Sequence, residues 1–291
     1  MPPKRSATDT VASSKRFRTA IDESAEELLC PITQSLPLDP VMAEDGKVYE
    51  RAAIEDWLKQ HQRSPITNLP MGTKLVAATQ IKNIIERMVI SDALPEDKAS
   101  AWKERIRQQE ELAEKRRAVE AGDLEAAHTL GYWYDLGKNG LAVDQKRAFE
   151  FYKVAAEGGH KKGAGRLSTF YYYGRGVEVN KALALRWAGA AATLGNGNGK
   201  QILSIFYDKG ELGMPIDKEY AFKLKVAASE ADSLNSRGLY DLAIRCEQGV
   251  GTAIDMEKAE ALMRKAVDQN KPLDHVHRAR DWLSARGLAQ Q

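Results

Sequence analysis

A helical pattern that recurs four times constrains the fold of this chain more than any other feature. In each copy, an apolar segment ends at a glycine, and an alanine-rich second segment follows a short loop; the four glycines are Gly137, Gly174, Gly210 and Gly249. Intervals of 36–39 residues are typical of helix–turn–helix units, and a single unit cannot bury its apolar face. Residues 118–291 are therefore predicted to form an all-α helical-repeat solenoid (an α/α superhelix) of about four repeats with a C-terminal capping helix.

A compact α+β module is predicted ahead of the repeats, at residues 25–92. Two short apolar segments, Val41–Met42 and Val48–Tyr49, flank Asp45-Gly46, a dipeptide typical of hairpin turns. Amphipathic helices are predicted at 50–60 and 79–89, with Thr79 as the N-cap of the second. The Pro-rich segments "EELLCPITQSLPLDP" and "HQRSPITNLPM" are predicted to form loops.

The remaining segments are polar and charged. Residues 93–117 are predicted to form a charged linker helix that sets the distance between module and repeats; the alternative is a solvated first helix of the repeats. Residues 1–24 are predicted to form a disordered basic tail. Its clusters Lys4-Arg5 and Lys15–Arg18 resemble a bipartite nuclear import signal. A plain solvated tail is the alternative, and we expect the protein in the nucleus and/or the cytoplasm.

Charge and cysteine content narrow the functional classes. Lys plus Arg number 43 and Asp plus Glu number 41, so the chain lacks the basic excess of a nucleic-acid binder, and nucleic acid is an unlikely partner. We expect no membrane partner, because the sequence has neither a long apolar run nor a secretory signal. The two cysteines, Cys30 and Cys246, lie far apart. This spacing argues against a disulfide framework and fits a reducing compartment.

Spaced blocks between Glu27 and Ile90 resemble a U-box. They are "CPIT", "DPV", "GKVYERAAIEDWL" and "SPITNLPM", in that order. The repeats resemble the Sel-like class, most plainly in "LSTFYYYGRGVEVNKALALRWAGAAATLG". A U-box is similar to a RING finger without its zinc ions. Because residues 25–92 offer only Cys30 and His61 as soft zinc ligands, we expect no metal and no cofactor.

The resemblance implies a ubiquitin-protein ligase, that is, a RING/U-box-type ubiquitin transferase. Such a module binds ubiquitin and its charged conjugating enzyme and orients the thioester for lysine attack, with no catalytic residue and no covalent intermediate on its own chain. The resemblance assigns conjugating-enzyme binding to Ile32, Trp57, Pro65 and Asn68. Core packing is the alternative for the three apolar residues. A structural network replaces the metal and is assigned to Asp39, Tyr49, Glu50, Arg51 and Thr67, each with a local cap or turn role as the alternative.

Two positions depart from the U-box pattern. Asn68 stands where many ligases carry Arg or Lys, and Ala78 stands where the family usually has Asn. The repeats are expected to recruit a protein substrate, or a chaperone or complex that carries it. A non-enzymatic scaffold with a weakened U-box is the alternative function. Cys30 could be a nucleophile, but its apolar setting favours a buried packing role, and Cys246 is interpreted in the same way.

Overall fold

The computed structural model describes residues 25–231, 236–268 and 274–288. The basic tail with its import motif lies outside the described residues, so nuclear import stays a prediction. The described chain divides into two compact units between Glu111 and Leu112. The elements of the first unit are β1 (Pro40–Met42), β2 (Val48–Glu50), α1 (Arg51–His61), β3 (Val76–Ala77), α2 (Thr79–Ile90) and the first part of α3 (Glu96–Glu120).

A three-stranded antiparallel sheet forms the centre of the first unit. The strand order is β2-β1-β3, so that Val41 of the central strand pairs with Tyr49 on one side and Ala77 on the other. The turn between β1 and β2 contains Gly46 at φ 74°, a conformation that glycine adopts without steric cost. The predicted hairpin and the α+β class of this unit are therefore confirmed.

The predicted cap of α2 is wrong. Thr79 is the first residue of the helix, Ala78 occupies the cap position, and no side chain there bonds to the first helical amides. The backbone explains this register, because the Ala78 amide donates to the carbonyl of Pro40 in β1 at 2.8 Å. The buried face of α2, which includes Ile85 and Val89, anchors the helix in place of a cap.

The first part of α3 packs on the first unit. Ala99 and Trp102 are buried in the same apolar cluster as Leu36 of the first Pro-rich segment and Ile85 of α2. This part of α3 is therefore not a fully solvated helix. Its expected role as a spacer between module and repeats stays a prediction.

The second unit is a stack of helix pairs, which confirms the predicted helical-repeat class. Its helices are α4 (Leu124–Leu136), α5 (Gln145–Glu157), α6 (Lys161–Tyr173), α7 (Lys181–Thr193), α8 (Gly197–Lys209), α9 (Lys218–Glu230), α10 (Ser236–Gln248), α11 (Met256–Asp268) and α12 (Asp274–Ser284). The terminal helix α12 buries Val276, Ala279, Trp282 and Leu283. Among the helices of the described ranges, none combines the length and the apolar character needed to cross a bilayer.

Two glycines show why the repeat signature takes its form. Gly174 ends α6 in the left-handed region, at φ 71°, the usual glycine C-cap. Gly176, at φ 66°, lies so close to α5 that a Cβ atom there would stand 2.2 Å from the carbonyl oxygen of Gln145. The Gly-x-Gly element therefore ends one helix and lets the following loop approach the preceding repeat.

Candidate functional site

Two Pro-rich loops precede and follow α1 in the sequence. We call residues 30–39 the first loop and residues 62–71 the second loop. The first loop is closed at its start by backbone bonds between Cys30 and both Gln34 and Ser35. The second loop is closed by bonds from the Ser64 amide to the Leu69 carbonyl and from the Asn68 amide to the Ser64 carbonyl.

The Glu50 carboxylate holds the far end of the first loop. It accepts from the backbone amide of Leu38 at 2.8 Å and from that of Asp39 at 3.2 Å. Arg105 of α3 donates to the same carboxylate at 2.9 Å. Glu50 precedes α1, yet its side chain does not cap that helix. The alternative interpretation of Glu50 as a local helix cap is therefore wrong.

Asp39 and Arg51 form a second connection beside Glu50. The Arg51 Nε atom donates to Asp39 Oδ2 at 2.7 Å, and both side chains remain about one-third to one-half exposed. Exposed ion pairs of this kind contribute little to stability, because water and salt screen them. We therefore expect Glu50, which is buried, to contribute more to the shape of the first loop than this pair does.

The Asp45 carboxylate connects the hairpin to the second loop. It accepts from the hydroxyl of Tyr49 at 2.7 Å and from that of Ser64 at 2.6 Å. Burial acts to raise the pKa of Asp45, but the hydrogen bonds from Ser64, Tyr49 and Lys47 outweigh it and hold the pKa below its usual value. Burial and the Asp45 carboxylate raise the pKa of Tyr49, so this phenol stays protonated as a donor.

Ser64 is the centre of the second loop. Its Oγ atom donates to Asp45 and also accepts from the backbone amides of Ile66 and Thr67, at 3.2 and 3.0 Å. Among the residues that the structure describes, the Thr67 hydroxyl has only a long contact, 3.4 Å, with the Leu69 amide. Thr67 therefore joins the network through its backbone amide, whereas the side chain of Ser64 connects Asp45 to the amides of the second loop.

Sequence reasoning missed three members of these networks: Asp45, Ser64 and Arg105. The Asp45-Gly46 dipeptide was sufficiently explained as a turn, and Ser64 precedes a proline in a loop. Arg105 lies beyond the last residue that resembles a U-box. The position of Ser64 directly before Pro65 was the available signal in the sequence. Asp45, the partner of Ser64, lies 19 residues away.

The residues predicted to bind a conjugating enzyme lie on or beside the two loops. Ile32 and Trp57 are half-buried and pack against the apolar cluster around Ile54. Pro65 is half-buried and Asn68 is exposed. The geometry therefore leaves part of each apolar side chain accessible. Each of the three can pack in the core with one part and bind a partner with the other.

Trp57 also ties α1 to the second loop. Its Nε1 atom donates to the carbonyl of Arg63 at 2.8 Å, and its ring stacks on His61 with centroids 4.1 Å apart. Two further apolar side chains of the second loop, Ile66 and Leu69, are 52% and 65% exposed. The loops thus present an apolar surface beyond the predicted residues.

The two cysteines are both buried. Cys30 has no exposed surface, and burial raises the pKa of the Cys246 thiol. Both observations fit the packing roles predicted for them and not that of a thiolate nucleophile. In the ranges that the structure describes, no group of three or more His, Cys, Asp or Glu side chains is arranged to hold a metal ion.

Comparison with curated proteins finds relatives of the first unit. The chain is 54% identical over 52 residues to "WD repeat, SAM and U-box domain-containing protein 1" of Danio rerio, a match that covers 18% of this chain and 11% of the relative. It is 33% identical over 85 residues to "U-box domain-containing protein 44" of Arabidopsis thaliana, covering 27% of this chain and 11% of the relative. The chain thus covers only about a tenth of the length of these relatives.

Two solved structures are similar to part of this chain. One is a protective antigen of uropathogenic Escherichia coli strains displaying an SLR fold, 26% identical, covering 61% of this chain and 37% of that one, with a TM-score of 0.47. The other is a Sel1 repeat protein from Oxalobacter formigenes, 23% identical, covering 60% of this chain and 48% of that one, also with a TM-score of 0.47.

Family models match both parts of the chain. The U-box domain model matches residues 25–92. The Sel1 repeat model matches four times, at residues 124–160, 162–196, 202–232 and 236–271. The chain therefore contains a U-box domain followed by four Sel1 repeats.

Proposed function

We propose that this protein is a ubiquitin-protein ligase that acts through its U-box. The U-box domain itself implies this class of activity. The observation that carries the proposal is the pair of loops with an accessible apolar surface. The carboxylates of Glu50, which is buried, and of Asp45, which is half-buried, hold the loops, while Ile66 and Leu69 remain exposed. Exposed apolar side chains on a small, ordered surface are typical of protein-binding sites.

The arrangement can accelerate ubiquitin transfer by positioning alone. A conjugating enzyme would dock on Ile32, Trp57 and Pro65, and its thioester would react with a substrate lysine without passing through this chain. Because hydrogen bonds already fix both loops, docking requires little further ordering of the protein. Holding thioester and lysine in one complex lowers the entropic part of the barrier. Ubiquitin itself would contact the complex near Asn68, at the exposed tip of the second loop.

The Sel1 repeats would bring the acceptor to this complex. Repeat units of this kind suggest protein–protein interaction, and stacked helix pairs build extended binding surfaces. We propose that they bind a protein substrate, or a chaperone or complex that carries it. Mass spectrometry of partners captured by the full chain, compared with a repeat-surface variant such as Tyr173→Ala, tests this assignment; Tyr173 is 56% exposed.

A non-enzymatic scaffold with a weakened U-box is the second candidate, because Asn68 stands where many ligases carry Arg or Lys. An Asn side chain cannot provide the charged fork of an arginine. Asn68 has φ 57°, a left-handed conformation that Asn tolerates better than most residues. The backbone of the second loop therefore offers a reason for Asn at this position that is independent of lost activity. Asn68→Arg should raise transfer if the missing charge limits the ligase, and should leave a scaffold inactive.

A reconstituted reaction tests the ligase proposal. The full chain is mixed with activating enzyme, a panel of conjugating enzymes, ubiquitin and ATP. We expect conjugates with at least one conjugating enzyme, and we expect Ile32→Ala to abolish them. Ile90→Ala is the matched control, since it removes the same atoms from a side chain on α2 that is 81% exposed.

Two results would contradict the proposal. Absence of conjugates with every conjugating enzyme of the panel would favour the scaffold. Equal activity of Ile32→Ala and the wild type would show that the first loop does not bind the conjugating enzyme. Circular dichroism of both variants distinguishes a lost surface from a lost fold.

A further inference from the structure

We propose that Arg105 of α3 is a positioning residue for the first loop, and that the working U-box unit therefore extends beyond residue 92. The inference rests on the proposed ligase function for its consequence in activity. Its structural part stands on contacts that the family model, which ends at residue 92, does not include. Arg105 would act through the loop that carries Ile32 and not by touching ubiquitin.

The Arg105 guanidinium bonds to three groups of the first unit. Its Nη1 atom donates to the carbonyl of Leu36 at 2.7 Å and to the hydroxyl of Ser35 at 3.0 Å. Its Nη2 atom donates to Glu50 Oε2 at 2.9 Å. One side chain thus contacts the middle of the first loop and also the carboxylate that binds the end of that loop.

Helix α3 presents Arg105 at a fixed position. Trp102 lies almost one turn earlier, is buried, and points its Nε1 atom at the carbonyl of Pro37 at 3.4 Å. Ala99 is buried a further turn back, and Ile106 packs on the same cluster. Residues three and four positions apart lie on one face of a helix. The apolar face of α3 therefore holds the helix against the first loop and directs Arg105 to its partners.

The charge of Glu50 makes Arg105 difficult to replace. The Glu50 side chain is 12% exposed, and a buried carboxylate is costly unless it is paired. Within the described residues, Arg105 is the cation that pairs with Glu50. A lysine would keep the charge, but its compact ammonium lacks the planar fork that spans carbonyl, hydroxyl and carboxylate. Removing Arg105 therefore frees the first loop and weakens the grip of Glu50 on Leu38 and Asp39.

The test compares three variants of the full chain: Arg105→Met, Arg105→Lys and the control Arg107→Met. Arg107 is exposed and pairs with Glu104 and Glu111 on its own helix. Arg107→Met therefore controls for the loss of one positive charge from this helix. Hydrogen exchange of residues 30–39 and 62–71 is measured first. We expect Arg105→Met to exchange about tenfold faster in the first loop only, with Arg105→Lys between it and the wild type.

The second measurement is ubiquitin discharge from a charged conjugating enzyme at varied concentrations of that enzyme. A loosened docking loop weakens binding but not the later transfer. We therefore expect Arg105→Met to raise KM about tenfold with kcat within about twofold of the wild type, partial rescue in Arg105→Lys, and no change in Arg107→Met.

Either measurement can overturn the inference. Unchanged exchange of residues 30–39 in both Arg105 variants would show that Arg105 does not hold the loop. Faster exchange with an unchanged KM would show that docking of the conjugating enzyme on the first loop does not depend on Arg105. If Arg105→Met fails to fold, Arg105→Lys supplies both readouts. An inactive wild type would refute the ligase proposal, and the exchange data alone would then decide whether Arg105 fixes the loop.

Discussion

Ser64→Ala should release the second loop while leaving the rest of the U-box folded. Ser64 is 2% exposed, and the substitution removes one oxygen atom from this position. The change deletes the bond to Asp45 at 2.6 Å and the two bonds from the amides of Ile66 and Thr67. Asp45 keeps its bonds from the Tyr49 hydroxyl and the Lys47 amide.

The magnitude follows from the chemistry of the three bonds. A hydrogen bond to a charged group contributes about 1.5–3 kcal/mol net, and the bond to Asp45 is of this type. The amides of Ile66 and Thr67 belong to exposed residues, so water can replace Ser64 and each loss costs less than about 1 kcal/mol. We therefore expect the free energy of opening the second loop to fall by about 2–4 kcal/mol.

Native-state hydrogen exchange measures this loop directly. It is preferable to a melting curve, because a chain of two units need not unfold in a single step. Amides in residues 62–71 of Ser64→Ala should exchange at least about 30-fold faster than in the wild type, the factor that corresponds to about 2 kcal/mol, while those of β1 and β2 change little. Thr67→Ala is the control, since its hydroxyl has only the 3.4 Å contact and its loss should cost below about 0.5 kcal/mol.

Two outcomes would refute this reasoning. Unchanged exchange in the second loop of Ser64→Ala would mean that backbone closure alone holds it. An equal effect of Thr67→Ala would mean that the network does not centre on Ser64.

Two further predictions concern the repeats. Arg175→Met should destabilise the contact of the first two repeats by about 3–5 kcal/mol, because Asp135, whose side chain is 1% exposed, loses its partner at 2.7 Å; faster exchange in α4, reversed in part by adding Asp135→Asn, is the readout. Burial, together with the nearby His160, lowers the pKa of His128 to about 4, although Glu125 opposes this shift. Because the unfolded chain binds that proton near pH 6.5, the stability of the repeats should fall as the pH drops from about 6.5 to about 4. His128→Gln should flatten this dependence in unfolding curves, and an equally steep curve would contradict it.

The repeats could be predicted from sequence because their signals are local. A helix that ends in the left-handed conformation favours glycine, so Gly174 and its counterparts mark the helix ends directly. The residue that begins each second helix is also a local signal, as when Asn180 accepts from the amide of Leu183. Four copies of these signals made the period evident without any tertiary information.

The networks of the U-box could be predicted only in part. Glu50 and Tyr49 were assigned by resemblance; Glu50 bonds to the amide of Leu38, 12 residues away, and Tyr49 bonds to the nearby Asp45. Asp45, which accepts from Tyr49, and Ser64, which donates to Asp45, were not found, because a turn residue and a loop serine have sufficient local explanations. Side-chain bonds across 19 residues depend on how the loops fold back, and residue spacing does not record that geometry.

Two other features depended on tertiary packing. Thr79 had the residue type of a cap, yet the bond from Ala78 to Pro40 places the cap position at Ala78, so that α2 begins one residue earlier than predicted. The charged composition of α3 suggested solvation, but its buried Ala99 and Trp102, together with Ile106, attach the helix to the first unit. A few apolar side chains on one face of the helix thus outweighed the polar pattern around them.

Single-turnover discharge of ubiquitin from a charged conjugating enzyme to free lysine tests the central claim most directly. That claim is that two loops, held by side-chain hydrogen bonds, present a surface that activates the thioester. We predict that the full chain accelerates discharge, that a zinc-selective chelator leaves the acceleration unchanged, and that Ile32→Ala removes it. Discharge at the uncatalysed rate with every conjugating enzyme, or acceleration that the chelator abolishes, would contradict the account.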